Sequence, residues 1–257
     1  MLKIRPTTLP RVLVCVAGLL ILKVTAAVMW NYHNYFPPNF NSDFLRGRQH
    51  YFGGSYHWAF YVHIIAGPPA LVLGLVLLSE RFRQRFPKWH RCLGRFQALN
   101  VLFLLAPSGL WMAFRAQSGP IAGVGFVVLA ILTATTLVLG WRTAVKRQFA
   151  DHRRWMWRCF LLLCSTVVLR LTAGLVTVTA IQATWIDPLS AWASWLVPLA
   201  AFELVGVVKR TTRAAPQKFP GMSPRATEKS ARRVAAGISA ERNRMLPSQS
   251  AASIPPA

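Results

Sequence analysis

The chain has 257 residues, of which 54% are hydrophobic and only 14% are charged. The hydrophobic residues lie in long blocks, which excludes an ordinary soluble domain and predicts a membrane protein. Lysine and arginine outnumber aspartate and glutamate by 30 to 7. Because these cations lie between apolar blocks and in a tail, rather than on a module that reads grooves or stacks bases, they indicate membrane topology and no nucleic-acid partner.

Six apolar stretches are each long enough, at about 20 residues, to cross a bilayer as a helix. They lie at about 12–30, 58–78, 96–114, 121–140, 156–181 and 189–208. The predicted fold is an all-α bundle of six transmembrane helices over residues 1–208, with the segment 31–57 as a cap at one end. Residues 209–257, rich in Pro, Ser, Ala and Arg, are predicted to form a disordered basic tail.

Positive charge alternates between the two ends of the predicted helices. The N-terminus, the loops after the second and fourth spans and the tail together hold 25 Lys and Arg residues, whereas the other loops hold three. The positive-inside rule therefore predicts that both termini are cytoplasmic. Basic residues in these loops and in the tail are expected to contact anionic lipid headgroups, each gaining about 1 kcal/mol near the surface.

The second span carries a histidine, His63, above a row of small residues in "HIIAGPPALVLG" (63–74). At 100° per residue, both glycines of this segment share the face of the histidine. One interpretation is an axial haem ligand whose neighbouring glycines leave room for the porphyrin. The other is close helix packing, with His63 hydrogen-bonded to a neighbouring helix. The two prolines are expected to kink the helix and free backbone carbonyls.

Two further histidines open the third and fifth spans in similar contexts. His90 begins "HRCLGR" (90–95) and His152 begins "HRRWMWR" (152–158), so arginines accompany each one where an apolar helix begins. Two histidines at equal depth on different helices are what a shared metal ion or a haem b would need. The alternative is a cationic collar that binds lipid phosphates and whose side chains snorkel to the interface.

Three charged residues lie well inside the apolar spans, away from the basic loops: Lys23, Arg170 and Glu203. Charges within a membrane are functional hypotheses by default, because each needs a partner, water or a ligand. We expect Arg170 to pair with Glu203 across an axial offset of about 10 Å. This pair would be structural, or Glu203 would relay protons, or Arg170 would hold an anion such as a haem propionate or a quinone oxygen. Lys23 is a third member of the group or a snorkelling side chain.

Several reaction classes lack their sequence motifs. The chain has no GxxxxGK[ST], HExxH, GxSxG or dinucleotide-binding fingerprint. Its four cysteines form no CxxC pair, which excludes a disulfide framework and the usual zinc spacings. The sequence leaves open whether the protein is an enzyme.

The segment from His63, the two His-Arg openings and the charged residues of the last two spans resemble a known family. They look like the bacterial predicted-membrane-protein family catalogued as domain of unknown function 2306, over about residues 55–210. The resemblance implies a multi-pass protein of the bacterial inner membrane in which these polar positions are characteristic. It implies no reaction and does not extend to the tail.

Three functions are consistent with these patterns. The first is a redox-type membrane protein that binds haem or quinone through His63, His90 and His152, with Arg170 as an anion partner. The second is a small proton-coupled transporter or channel built on Glu203 and Arg170. The third is a non-catalytic membrane component that assembles with partners or lipids. The first function uses the most residues.

Overall fold

The structure is a computed structural model and describes residues 9–42, 44–180 and 183–214. These residues contain no β-strand, and they form ten α-helices: α1 (Leu9–Trp30), α2 (Gln49–Tyr51), α3 (His57–Leu78), α4 (Glu80–Arg85), α5 (Pro87–Leu99), α6 (Ala106–Ala113), α7 (Gly119–Val145), α8 (Phe149–Leu163), α9 (Ser165–Thr179) and α10 (Ile186–Ala214). A 3-10 turn follows α1 at Asn31–Asn34, and π-helical turns occupy Phe52–Tyr56 and Asn100–Leu105.

The chain divides into a compact unit, Met1–Gly206, and a second unit, Val207–Ala257. Of the second unit, the structure describes only residues 207–214, which are the end of α10. The helix therefore continues beyond the predicted boundary at residue 208. The rest of the predicted tail lies outside the described residues.

Six helical segments are long and apolar enough to cross a membrane, which confirms the predicted fold class. Their bounds are Val12–Asn34, Gln49–Leu78, Pro87–Ala113, Gly119–Val145, Phe149–Thr179 and Ile186–Val208. The second segment begins earlier than predicted because it includes α2 and the π-helical turn at Phe52–Tyr56. The third and fifth segments also begin earlier, because amphipathic first turns with several basic residues continue the helix without continuing the apolar run. The orientation of the termini across the membrane stays a prediction.

The two ends of the bundle differ in chemistry. The basic face consists of α4, the first turns of α5 and α8, and the end of α7, which carry the arginine-rich sequences. The cap face is the opposite end, where residues 31–42 and 44–56 pack around an aromatic cluster. The buried members of that cluster are Tyr35, Leu45, Phe52, Tyr56 and Phe60.

Helix α3 runs through Pro68 and Pro69 without interruption. A proline has no backbone N–H, so Pro68 leaves the carbonyl of Ile64, four residues earlier, without its helical donor. The Tyr32 hydroxyl donates to this carbonyl at 2.5 Å. The freed carbonyl predicted from the proline pair is thus satisfied by the turn that follows α1.

Two buried amide side chains of the third span bind the α3 backbone. Gln97 Nε2 donates to the carbonyl of Ala70 at 2.8 Å, and Asn100 Nδ2 donates to the carbonyl of Ala66 at 3.0 Å. The acceptors are one helical turn apart, and the donors are three residues apart on the facing helix. Such bonds satisfy polar side chains inside a bilayer and fix the register of the two helices.

Small residues allow α3 to pack closely on its neighbours. A methyl group added to Gly74 would lie 2.6 Å from Cδ2 of Phe160 on α8, and one added to Gly67 would lie 4.0 Å from Leu105. Phe160 is itself buried in a core cluster at 6% exposure, so its ring has little room to move. Gly74 is therefore required by the contact between α3 and α8.

We expect Gly74→Ala to destabilise the protein by about 1–3 kcal/mol, because the new methyl group overpacks the buried Phe160 ring. Gly18→Ala is the matched control, since a methyl group there meets nothing within 4 Å. The control should be neutral or stabilising by about 0.5–1 kcal/mol, the usual gain from replacing a helical glycine. Unfolding midpoints in detergent measure both effects, and equal midpoints for the two variants would contradict the packing argument.

Candidate functional site

The two histidines that open the third and fifth spans come together at the basic face. His90 is the fourth residue of α5 and His152 is the fourth residue of α8. Pro87 occupies the first turn of α5, where its missing N–H costs nothing, and Asp151 lies in the first turn of α8, where a negative charge favours the helix dipole. The imidazoles of the two histidines are close enough to interact electrostatically.

His152 is held in one orientation by the neighbouring helix. Its Nδ1 lies 2.8 Å from the carbonyl oxygen of Gly140 on α7. A carbonyl oxygen only accepts hydrogen bonds, so Nδ1 carries the proton and the neutral ring has its lone pair on Nε2. The bond is short because α7 and α8 pack closely here: a methyl group on Gly140 would overlap Met156.

Helix α5 presents an unsatisfied polar face beside this histidine. His90 Nδ1 is buried and has no hydrogen-bond partner in the described structure. One turn later, a methyl group added to Gly94 would meet nothing within 4 Å. One turn further, Gln97 is buried and its Oε1 also lacks a partner within the described chain. Unsatisfied buried polar atoms cost free energy, so this face would be stabilised by a polar ligand.

The partner of Glu203 is Arg158, which corrects the predicted pairing with Arg170. Arg158 Nε lies 2.6 Å from Oε1 and Nη2 lies 3.0 Å from Oε2, a bidentate arrangement. The guanidinium group also lies 4.5 Å from the centroid of the Trp155 ring. This ion pair joins the first half of the fifth span to the second half of the sixth.

Helix length explains why Arg158 is the better-placed partner. Glu203 lies 17 residues beyond the first residue of α10, whereas Arg158 lies 21 residues before the last residue of α9 and Arg170 only 9. At 1.5 Å per residue, the axial offset from Glu203 is about 6 Å for Arg158 and about 12 Å for Arg170. The pair predicted from the sequence, Arg170 and Glu203, has the larger of these two axial offsets.

Arg170 and Lys23 do not belong to the basic face. Both side chains are exposed on the surfaces of their helices, α9 and α1, and neither forms an ion pair within the described residues. Arg170 is within electrostatic range of Tyr32, beside the cap face. It also lies 18 residues beyond His152, about 27 Å along the span, so the two residues do not share a ligand.

His63 lies apart from the other two histidines, against α6. Its Nδ1 is 3.2 Å from Ser108 Oγ, and Gly109 allows the ring to approach the α6 backbone closely. The glycines below it face Leu105 and Phe160 rather than open space. This arrangement is the helix-packing alternative, and the structure does not bring His63 together with His90 or His152.

The described residues contain no group of three or more His, Cys, Asp or Glu side chains that could hold a bare metal ion. A haem has a different requirement, because the porphyrin supplies the equatorial nitrogens and the protein supplies one or two axial ligands. His90 and His152, which are within electrostatic range of each other, are the candidate pair for such ligation. Arg83, within electrostatic range of His90, adds positive charge beside the pair.

Sequence reasoning missed two members of this site. Gly140 acts through its backbone carbonyl, which every residue type possesses, so no residue pattern could identify it. Arg158 was interpreted as part of the basic collar because it follows the "HRRWMW" segment directly. In the structure, Arg158 lies well inside α8 and faces the sixth span. Arg153 and Arg154, by contrast, are exposed.

These features define a multi-pass α-helical membrane protein with a histidine pair where two of its helices enter the membrane. The family model described as predicted membrane protein (DUF2306) matches residues 60–206. The chain therefore belongs to this family, which confirms the resemblance seen in the sequence. No curated protein and no solved structure matches the chain.

Proposed function

We propose that this protein is a redox-type protein of the bacterial inner membrane that binds a haem b between α5 and α8, with His90 and His152 as axial ligands. The observation that carries the proposal is the orientation of His152, whose Nδ1–H is held by the Gly140 carbonyl. Histidines that ligate metals almost always donate their second nitrogen to a carbonyl or carboxylate in this way, which directs the other nitrogen at the metal.

The surroundings of His90 support the same ligand. Gly94, one turn beyond His90 on the same face of α5, has open space where a side chain would otherwise lie. A glycine in that position leaves room for a flat macrocycle beside its axial ligand. The other arginines and lysines of the basic face supply the cations that haem propionates need, whereas Arg83 beside His90 is already paired with Glu80.

A quinone is the second ligand class for the same side chains, and the hydrogen bonding of His152 favours haem over it. A quinone carbonyl accepts hydrogen bonds, so it needs an N–H donor. The N–H of a neutral His152 is already bonded to Gly140, which leaves a lone pair on the other nitrogen. A lone pair suits an iron atom rather than a carbonyl oxygen.

A proton-coupled transporter built on Glu203 has less support. Both carboxylate oxygens of Glu203 are bonded to Arg158, and the two side chains are 45% and 20% exposed. A bidentate pair at this position is the arrangement expected of a structural link between two helices. Arg170, the other residue of the transporter hypothesis, lies too far along the span to join this pair.

The absorption spectrum of the full-length protein tests the proposal. The protein would be expressed with an ample supply of haem, purified in mild detergent and measured before and after reduction with dithionite. We expect a Soret band in the isolated protein and sharp α and β bands after reduction, as for a haem with two imidazole ligands. A stable, folded and colourless protein would contradict the proposal.

A further inference from the structure

Arg170 is a cation inside a membrane-spanning helix with no carboxylate partner among the described residues. It lies 9 residues before the end of α9, which is about 13 Å along the helix axis. Its side chain is exposed on the surface of the bundle rather than buried inside it.

The exposed face of α9 around Arg170 carries mainly small and polar side chains. Thr166, Ala173, Gly174 and Thr177 all lie within about 60° of Arg170 around the helix axis, and all four are exposed. A methyl group added to Gly174 would meet nothing within 4 Å. The arginine is thus surrounded by small and polar side chains that leave space for a group larger than an acyl chain.

The charge needs an anion, and the described acidic side chains do not provide one. Glu80, Asp151 and Glu203 are each paired with an arginine close to the basic face. Asp187 of a second copy in the same membrane orientation is at the wrong level to pair with Arg170. It lies near the start of α10, about 12 Å closer to the cap face along the helix axis. An anionic lipid of the surrounding bilayer has the charge that complements Arg170 on this exposed face.

We propose that Arg170 binds the phosphate group of an anionic glycerophospholipid, drawn inward from the surrounding bilayer along the exposed face of α9. A guanidinium group binds phosphate through two parallel hydrogen bonds, a geometry that a lysine does not reproduce. The open space at Gly174 accommodates the glycerol backbone beside the bound phosphate. The site is separate from the histidine pair and does not depend on the proposed haem.

Lipid retention at high salt tests this proposal. The full-length protein would be placed in bilayers of phosphatidylcholine with a minor fraction of phosphatidylglycerol, then extracted and washed in about 1 M salt, where the Debye length is about 3 Å. Such salt releases lipids held by exposed loops and the tail, but not a lipid whose phosphate is bound by Arg170 on the membrane-spanning part of α9. Mass spectrometry of the extracted lipids gives the phosphatidylglycerol retained per chain, and we expect roughly tenfold less for Arg170→Gln than for the wild type.

Lys23 provides the matched control, because it is an exposed cation at a similar depth on α1 and its helix face is apolar. Lys23→Gln should retain as much phosphatidylglycerol as the wild type. Equal losses in the two variants would show a general effect of charge and would overturn the site. Unchanged retention in Arg170→Gln would also overturn it, and a change of oligomeric state without lipid loss would assign the face to a second copy instead.

A second variant keeps the test decisive if Arg170→Gln fails to fold. Gly174→Leu preserves the arginine, adds a Cβ that meets nothing within 4 Å, and extends a side chain into the space assigned to the lipid backbone. Because leucine is a good helix former, the variant should fold. Loss of phosphatidylglycerol from Gly174→Leu supports the site, and wild-type retention overturns it.

Discussion

Replacing His152 with alanine is expected to remove most of the bound haem, whereas replacing His63 with alanine should leave the haem spectrum unchanged. His152 is oriented by the Gly140 carbonyl with its second nitrogen available, while His63 is bonded to Ser108 on α6 and lies apart from the pair. Mutation of a residue that only hydrogen-bonds to a metal ligand lowers metal affinity by about 10–100-fold. Loss of the ligand itself should therefore lower haem content by at least about tenfold. The pyridine haemochrome assay measures haem per chain.

His90 allows a sharper test of ligation, because loss of one axial ligand changes the spectrum in a characteristic way. His90→Ala should give a five-coordinate, high-spin haem wherever haem is retained. Added imidazole should restore the six-coordinate, low-spin spectrum by entering the space of the missing side chain. A purely structural role for His90 would not produce this rescue. If His63→Ala loses the haem and both other variants keep it, the assignment of ligands is wrong.

The membrane-spanning architecture was predictable from sequence because the bilayer imposes a simple rule. Every backbone polar group must be satisfied within the membrane, so spanning segments are long apolar helices separated by charged loops. The starts of the third and fifth spans were less predictable. The helices begin at Pro87 and Phe149, and the basic residues of their first turns lower the apolar content while the backbone remains helical.

The histidine pair was predictable for a different reason. His90 and His152 stand in matching sequences at the same end of two helices, so similar depth followed from topology alone. The hydrogen bonds of the pair were not predictable, since the acceptor for His152 is the backbone of Gly140, twelve residues earlier. Helical periodicity predicts which residues share one face of a helix. It does not predict which side chains of other helices pack against that face. The glycines beneath His63 illustrate this, because Phe160 from a distant part of the chain lies against one of them.

Glu203 pairs with Arg158 rather than with the predicted Arg170. The prediction missed this pair because Arg158 was counted with the basic collar and not with the charges inside the span. The fifth span comprises two helices that meet at Cys164, and the sixth begins at Ile186. A shift of three residues at either end changes the axial position by about 4.5 Å, which is enough to exchange one arginine partner for another. Charge complementarity identified the correct residue types but left two candidate arginines on the same span.

Removing both members of the Arg158–Glu203 ion pair is expected to cost less stability than the sum of the two single replacements. Glu203→Gln removes the two charged acceptor oxygens bound by Arg158, and Arg158→Gln removes the two donors. Hydrogen bonds to charged groups contribute about 1.5–3 kcal/mol. Because the side chains are 20% and 45% exposed, each single replacement should cost about 1–3 kcal/mol rather than the 3–5 kcal/mol of a fully buried pair.

A double-mutant cycle, measured by unfolding in detergent, isolates the coupling between the two side chains. The exposed pair between Asp151 and Arg154 on the same helix is the matched control. Its atoms are 3.5 Å apart and both side chains are 52% exposed, so its coupling should be below about 0.5 kcal/mol. Additive losses at Arg158 and Glu203 would show that the pair does not couple the two spans. If Glu203→Gln instead kept full stability and abolished pH-dependent flux in vesicles, Glu203 would be a proton carrier, because a structural link between helices has no reason to control flux.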